Sequence, residues 1–180
     1  YGQLSHLISC ARRAAAKGDY FLDRQMVEDN LPEECFALWL PNSDEAAERH
    51  AFQAAWLHRV FSSNLRLAVQ LHLRGDDRGE LQRLTRVGER FGIRLCAAGG
   101  VLMHEPNRRV LLDTLTAIRL GRALNKLGYA GEPNSERHLR DRARLAKLYP
   151  PALLAETVNI ADACDFSLDE LRYEYPRELV

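Results

Sequence analysis

The chain has 180 residues, of which 46% are apolar, and its 25 basic residues balance its 25 acidic ones. This length and apolar content suit one domain with a buried core. The neutral balance argues against an autonomous, strong DNA-binding domain, because such domains are usually basic. No apolar run is long enough to span a membrane and no signal peptide is visible. We therefore expect no membrane partner and a cytoplasmic location.

Helices and strands are predicted to alternate from the first residue. The apolar spacing predicts helices over residues 1–17, 22–30, 43–61 and 76–91, and strands over residues 35–40, 65–71 and 93–98. Ser43 is predicted to cap the third helix, which would bury Phe52, Ala55, Trp56 and Val60. The four cysteines lack C-x-x-C spacing and are predicted to be small buried residues in a reducing cytosol.

Residues 93–121 join a short apolar strand, a glycine-containing loop and a helix. Leu111, Leu115 and Ile118 follow Pro106 at helical spacing and mark one apolar face, and Gly121 is a suitable helix stop. In α/β folds, chemistry is found where the carboxyl end of a strand meets the following helix. The loop after residue 98 is therefore the predicted position of a site.

The element order predicts an α/β fold with about three parallel strands and crossover helices. After residue 121 the pattern changes to helices predicted over residues 136–148 and 151–164, with an extension from residue 166. The first residue is not methionine, so we expect a piece of a longer protein.

Several motifs carry a resemblance to a known family. The run GGVLMH, the pair RR and the run LLDTLTAIRLG are followed by PNSERHLRDRARLAKLYP and LLAETVNIADACDFSLDELRYEYP. Together they resemble the C-terminal part of the PHP (polymerase and histidinol phosphatase) domain of bacterial DNA polymerase III alpha-type subunits, and most closely the error-prone branch. The resemblance implies a partial PHP-type β/α barrel over residues 1–121, a helical extension over 122–165, and a connection over 166–180 toward a downstream polymerase domain.

The same resemblance implies a degenerate metal site. The family's loop usually reads Gly-Asp-Val-His-Met-His, and its Asp and first His are metal ligands in active PHP domains. Gly100 and Leu102 stand at those two positions here, and only His104, matching the second His, is retained. We therefore predict no metal ligand and no catalytic residue in this chain, and Mg²⁺ is expected only for the parent polymerase. An active metal-dependent phosphoesterase is the alternative.

Basic residues form two groups for which two interpretations stay open. One group gives residues 137–147 a net charge of +4, and the other lies in the first turn of a predicted helix. Both could contact DNA or the polymerase domain, or they could pair with acidic neighbours such as Glu105, Asp113 and the acidic segment 156–178, or lie in solvent. The candidate contact residues are Arg108, Arg109, Arg137, Arg140, Arg142, Arg144 and Lys147.

The resemblance implies a scaffold or interaction segment of an error-prone DNA-directed DNA polymerase, a nucleotidyltransferase acting in replication and repair of damaged DNA. Its implied partners are DNA through the parent protein, the adjacent polymerase domain and damage-tolerance accessory proteins. Tyr173 and Tyr175 are predicted to pack against the polymerase domain. A stand-alone α/β interaction module is the other alternative.

Overall fold

The computed structural model describes residues 1–42 and 45–171. Within them a three-stranded parallel sheet has the order β1-β2-β3, with β1 at Ala37–Trp39, β2 at Leu65–Val69 and β3 at Leu95–Ala97. The helices are α1 (Gly2–Arg13), α2 (Arg24–Asp29), α3 (Ala47–Phe61), α4 (Asp77–Phe91), α5 (Arg109–Leu120), α6 (Arg142–Leu148) and α7 (Pro151–Asp162). The predicted α/β class with three parallel strands is confirmed. The sheet is open, and the PHP-type barrel stays a prediction.

The described residues divide into two compact units. The larger unit is Phe36–Thr157 and contains the sheet; the smaller joins Tyr1–Cys35 to the residues from Val158 onward. In the smaller unit, α1 buries Leu7 and Ala11 and ends at Arg13, four residues before the predicted end. The predicted division of the chain at residue 121 stays a prediction.

The central strand β2 is buried at every position. Leu67 lies between Trp39 of β1 and Leu95 of β3, because both neighbouring strands pair with it in parallel register. Together with Val69 and Leu84 it forms the centre of the apolar core. A central strand of a parallel sheet is covered on both faces, which is why its residues do not alternate between buried and exposed positions.

Arg66 shows how a charge is accommodated in that strand. Its guanidinium is buried, pairs with Glu156 of α7, donates to the Ser63 and Leu65 carbonyls at 2.6 and 2.9 Å, and lies over the Phe36 ring. A buried charge needs a partner and further hydrogen bonds. Arg66 has both, and it therefore attaches the middle of α7 to the sheet.

The helix α3 departs from its prediction at both its start and its buried face. It begins at Ala47, with Ala46 rather than Ser43 at the cap position, and Ser43 itself is outside the described residues. The buried residues are His50 and Ala54, whereas Phe52 is exposed. His50 is held inside by a 2.8 Å hydrogen bond between Nε2 and the Asn42 carbonyl. The shift in helix phase leaves Ala55 exposed and Trp56 and Val60 half-buried.

The helix α5 ends at Gly121 as predicted, since Gly121 adopts a left-handed conformation with φ +60°. Amphipathic helices of globular proteins usually face their apolar stripe toward the core. Here Leu111, Leu115 and Ile118 are exposed, and Ala117 is the residue that the helix buries. α5 packs mainly against the 3₁₀ turns that flank it, Pro106–Arg108 and Leu124–Lys126.

The last helices are shorter than predicted. α6 begins at Arg142 instead of residue 136, because Asp141 caps it by accepting a 2.8 Å hydrogen bond from the Arg144 N–H. Of the cysteines, Cys96 is buried as predicted, but Cys164 is exposed. No helix within residues 1–42 and 45–171 has the length and apolar content needed to cross a membrane.

Candidate functional site

The predicted site lies at the carboxyl edge of the sheet, where the chain leaves β2 at residue 70 and β3 at residue 98. A later part of the chain crosses this edge. We call residues 132–149 the closing segment, because its side chains bind the backbone of both strand ends. These side chains are Asn134, Arg137, Arg140 and Tyr149, and Glu132 pairs with Arg137.

Tyr149 is buried and joins the two strand ends through its hydroxyl. The hydroxyl accepts a hydrogen bond from the Leu71 N–H at 3.0 Å and donates one to the Ala98 carbonyl at 3.0 Å. Arg140 is also buried and donates to the Leu71 carbonyl at 2.7 Å and to the Tyr149 hydroxyl at 3.3 Å. These bonds replace the ladder that β2 would otherwise continue, so the strand ends at Val69 rather than at residue 71.

His72 is a third buried group at this edge. Its Nε2 donates to the Gly99 carbonyl at 2.9 Å, and its own carbonyl accepts from the Asn134 side chain at 2.7 Å. Burial lowers the pKa of His72, and the nearby charges of Arg137, Arg74 and Arg140 lower it further, against the raising effect of the Gly99 bond. The neutral imidazole is therefore favoured, in the tautomer that donates to Gly99.

Arg137 fastens the glycine loop. Its Nε donates to the Gly100 carbonyl at 2.8 Å, and Nη1 pairs with Glu132 at 3.1 Å. The backbone continues the attachment, because the Arg137 carbonyl accepts from the Leu102 N–H at 2.8 Å and Met103 forms a parallel bridge with His138. The loop that was predicted to hold a site is thus tied to the closing segment along its length.

Gly100 and Leu102 are the two positions at which the PHP resemblance implies ligands in active members. Gly100 has φ +53°, and a Cβ there would lie 2.8 to 3.0 Å from the amide of Gln70. Leu102 is exposed, and so is His104, whose Nε2 lies 3.4 Å from the Glu105 carboxylate. Among the residues that the structure describes, no three His, Cys, Asp or Glu side chains converge as metal ligands would.

A cavity of about 410 Å³ lies beside His72 and is lined in part by Gln70, Asp76, Asp77 and Glu80. The Asp77 carboxylate accepts from the N–H groups of residues 73 and 74 at 2.8 and 3.2 Å. Glu80 accepts two bonds from Arg83, at 2.7 and 2.8 Å. Asp77 and Glu80 are therefore engaged in holding a turn and a helix surface. Asp77 thus binds the turn that precedes α4, and Asp76 forms no side-chain cap.

A second cavity, of about 610 Å³, lies between the start of α5 and residues 124–133. Its charged walls are paired with each other. Arg74 lies 3.1 Å from Glu132, Arg109 lies 3.4 Å from Asp113, and Asp113 also accepts from the Glu132 N–H at 2.9 Å. The pairing leaves the cavity without an uncompensated charge of either sign from these four residues.

The structure separates the predicted contact residues by their partners. Arg137 and Arg140 bind the strand-end backbone, Arg144 pairs with Glu136, and the first-turn arginines Arg108 and Arg109 pair with Glu105 and Asp113. Arg142 and Lys147 are exposed and have no ion pair within the described part of the chain. Tyr173 and Tyr175 lie outside the described residues.

Sequence reasoning missed the roles of Tyr149 and Asn134. Both residues lie in the run PNSERHLRDRARLAKLYP, but nothing in that run indicates their partners, which are 78 and 62 residues away along the chain. The sequence marks the basic residues 137–147 as a group, but their pattern does not indicate a contact with the strand ends. The one available signal is that this group follows PNSE, a turn sequence that returns the chain toward the sheet.

Comparisons with known proteins show similarity to one part of longer proteins. No protein-family model matches this sequence. A protein of Methylococcus capsulatus named error-prone DNA polymerase is 51% identical over all 180 residues, which are 17% of its length. Proteins of the same name from Alkalilimnicola ehrlichii and Dechloromonas aromatica are 50% and 46% identical over the whole of this chain, again 17% and 18% of their lengths. The chain spans about a sixth of the length of these curated relatives, and it is similar throughout to one segment of proteins named error-prone DNA polymerase.

Proposed function

We propose that this chain is a scaffold segment of an error-prone DNA-directed DNA polymerase that acts in replication and repair of damaged DNA. The observation that carries the proposal is the similarity over the entire chain to one segment of polymerases about six times longer. A chain that is similar over its whole length to one part of a larger protein shares the fold of that part. We therefore infer its role from the larger protein.

The segment's own role in this proposal is structural. Two observations support it. The side chains of Tyr149, Arg140 and His72 form hydrogen bonds with backbone groups at the carboxyl edge of the sheet. In addition, Gly100 and Leu102 stand where the PHP pattern has ligands. A side chain that is bound to backbone carbonyls on both strand ends holds the loops in place. We therefore assign the segment to a PHP-type domain whose metal site is degenerate, with Mg²⁺ required elsewhere in the parent protein.

DNA contact in this proposal is made by exposed basic residues. Of the seven candidates, Arg142 and Lys147 are both exposed and without an ion pair among the described residues. Phosphate contacts of this kind add affinity and steepen the salt dependence of binding. The other five candidates are engaged with protein groups and are assigned to the fold. Tyr173 and Tyr175 are proposed to pack against the polymerase domain, and the parent protein to act in the cytoplasm with damage-tolerance accessory proteins.

A chimera tests the proposal. This chain replaces the matching segment of the Methylococcus capsulatus protein, and primer extension on a DNA template is measured with Mg²⁺. We expect the chimera to extend the primer and a variant lacking the segment to lose folded, active protein. An unchanged activity after deletion of the segment would contradict the scaffold role.

A second measurement distinguishes the scaffold role from the alternative of an active metal-dependent phosphoesterase. The purified chain is given Zn²⁺ or Mn²⁺ and a phosphate ester. The scaffold proposal expects no hydrolysis above the buffer background. Hydrolysis that disappears in His72→Gln and His104→Gln would establish the phosphoesterase instead.

A further inference from the structure

The helix α5 carries an apolar stripe made of Leu111, Leu115 and Ile118. Their side chains are 52%, 55% and 72% exposed, although they lie one turn apart on a single face. A groove of about 160 Å³ runs beside the stripe, lined also by Leu102 and His104. A contiguous exposed apolar surface with an adjoining groove marks an interaction site.

The charges at the two ends of the stripe narrow the choice of partner. Arg108 lies at its beginning, and Arg119 and Arg122 lie at its end. The latter two have no ion pair within residues 1–42 and 45–171, whereas Arg108 pairs with Glu105 at 3.2 Å. A second copy packed parallel would bring Arg119 and Arg122 of the two copies together, and like charges that face each other disfavour that arrangement. At this end of the stripe the charges favour a partner that carries carboxylates.

We propose that the α5 stripe is the docking surface for an amphipathic segment with acidic residues near one end, supplied by the same polypeptide outside this chain. The inference rests on the proposed function, because the curated relatives are about six times as long as the matched region. An apolar face opposite Leu111, Leu115 and Ile118 buries the stripe, and carboxylates meet Arg119 and Arg122. The groove beside Leu102 receives one larger apolar side chain.

Thiol labelling in the full-length product tests the proposal. Ile118→Cys is compared with Val110→Cys, a matched control that is 66% exposed on another side of the same helix. Each variant is labelled with a maleimide in the native protein and in urea, and the rate at each position is read from peptide masses. We expect residue 118 to react about tenfold or more slowly in the native protein than in urea, because a buried thiol reacts only when its contact opens. Residue 110 should show no such protection.

A charge-reversal variant tests the predicted contact between Arg119, Arg122 and acidic residues of the partner. Reversing both charges with Arg119→Glu and Arg122→Glu should speed the labelling of residue 118 several-fold at low salt, since the acidic end of the partner would then be repelled. Equal protection of residues 118 and 110 would overturn the docking surface. So would protection that depends on protein concentration, which would identify a second copy. A native product of the size of this chain would instead overturn the proposed function, so the two failures are distinguishable.

Discussion

Replacing Tyr149 by phenylalanine removes one oxygen atom from the carboxyl edge of the sheet and leaves the ring in place. The Leu71 N–H then loses its acceptor at 3.0 Å and the Ala98 carbonyl loses its donor at 3.0 Å. Arg140 keeps its 2.7 Å bond to the Leu71 carbonyl but loses its second partner. The substitution therefore tests whether the closing segment holds the two strand ends together.

The expected cost follows from the burial of these groups. A buried donor left without a partner costs about 1–3 kcal/mol. Leu71 is 3% exposed, so water cannot replace the lost hydroxyl without a rearrangement. The Ala98 residue is only half-buried and contributes less. We expect Tyr149→Phe to lower the free energy of unfolding by about 2 kcal/mol, which corresponds to a fall in Tm of roughly 4–8 °C for a domain of this size.

Urea unfolding followed by tryptophan fluorescence provides the assay. Both tryptophans, Trp39 and Trp56, belong to the unit Phe36–Thr157 that contains the sheet, so the signal reports on that unit. Tyr129→Phe is the matched control, because Tyr129 is fully exposed in the same unit. The control should change stability by less than about 0.5 kcal/mol. Equal unfolding midpoints for the two variants would refute the reasoning.

Three further predictions concern the same edge. Arg140→Met should lower the free energy of unfolding by about 1.5–3 kcal/mol, since a charged hydrogen bond to a buried carbonyl is lost, whereas Arg142→Met at the exposed start of α6 should be neutral in the same urea titration. Because burial lowers the pKa of His72 below its ordinary value of 6.5, the unfolded chain binds the proton more readily. Stability should thus fall as the pH drops below about 6.5, and His72→Gln should flatten that part of the pH profile measured by thermal unfolding. Gly100→Ala should lower the free energy of unfolding by about 1–2 kcal/mol, because Gly100 has a left-handed backbone and lies against Gln70. Gly99→Ala, at a residue outside the left-handed region, should lower it by less. Equal melting temperatures for the two variants would contradict the strain argument.

The sequence predicted the repeating elements because they depend on local pattern. The alternation of apolar runs and amphipathic helices placed three parallel strands and their crossovers, and Gly121 marked a helix end through a conformation that glycine favours. These features need only residues that are near each other in the chain.

Features that depend on distant partners were missed. A charged residue among the apolar residues of a strand usually faces solvent. Arg66 is buried instead, because it pairs with Glu156, which is 90 residues away along the chain. Arg140 looked like part of a basic surface helix, and its carbonyl partner Leu71 is 69 residues away. No local pattern reports such pairings.

The helix α5 illustrates a different limit of sequence reasoning. Its periodicity correctly predicted that Leu111, Leu115 and Ile118 share one face, but periodicity does not say what covers that face. Within the described residues the face is exposed. The pattern indicates a surface suited to burial, and the partner that we propose for it lies outside this chain.

The central claim is that this chain is a scaffold segment of a polymerase several times longer. The most direct test is the mass of the native product in the source cell, captured with an antibody raised against this chain and measured intact. The account predicts a product several-fold heavier than 20.5 kDa. A native product of 20.5 kDa would contradict the account and favour a stand-alone α/β interaction module.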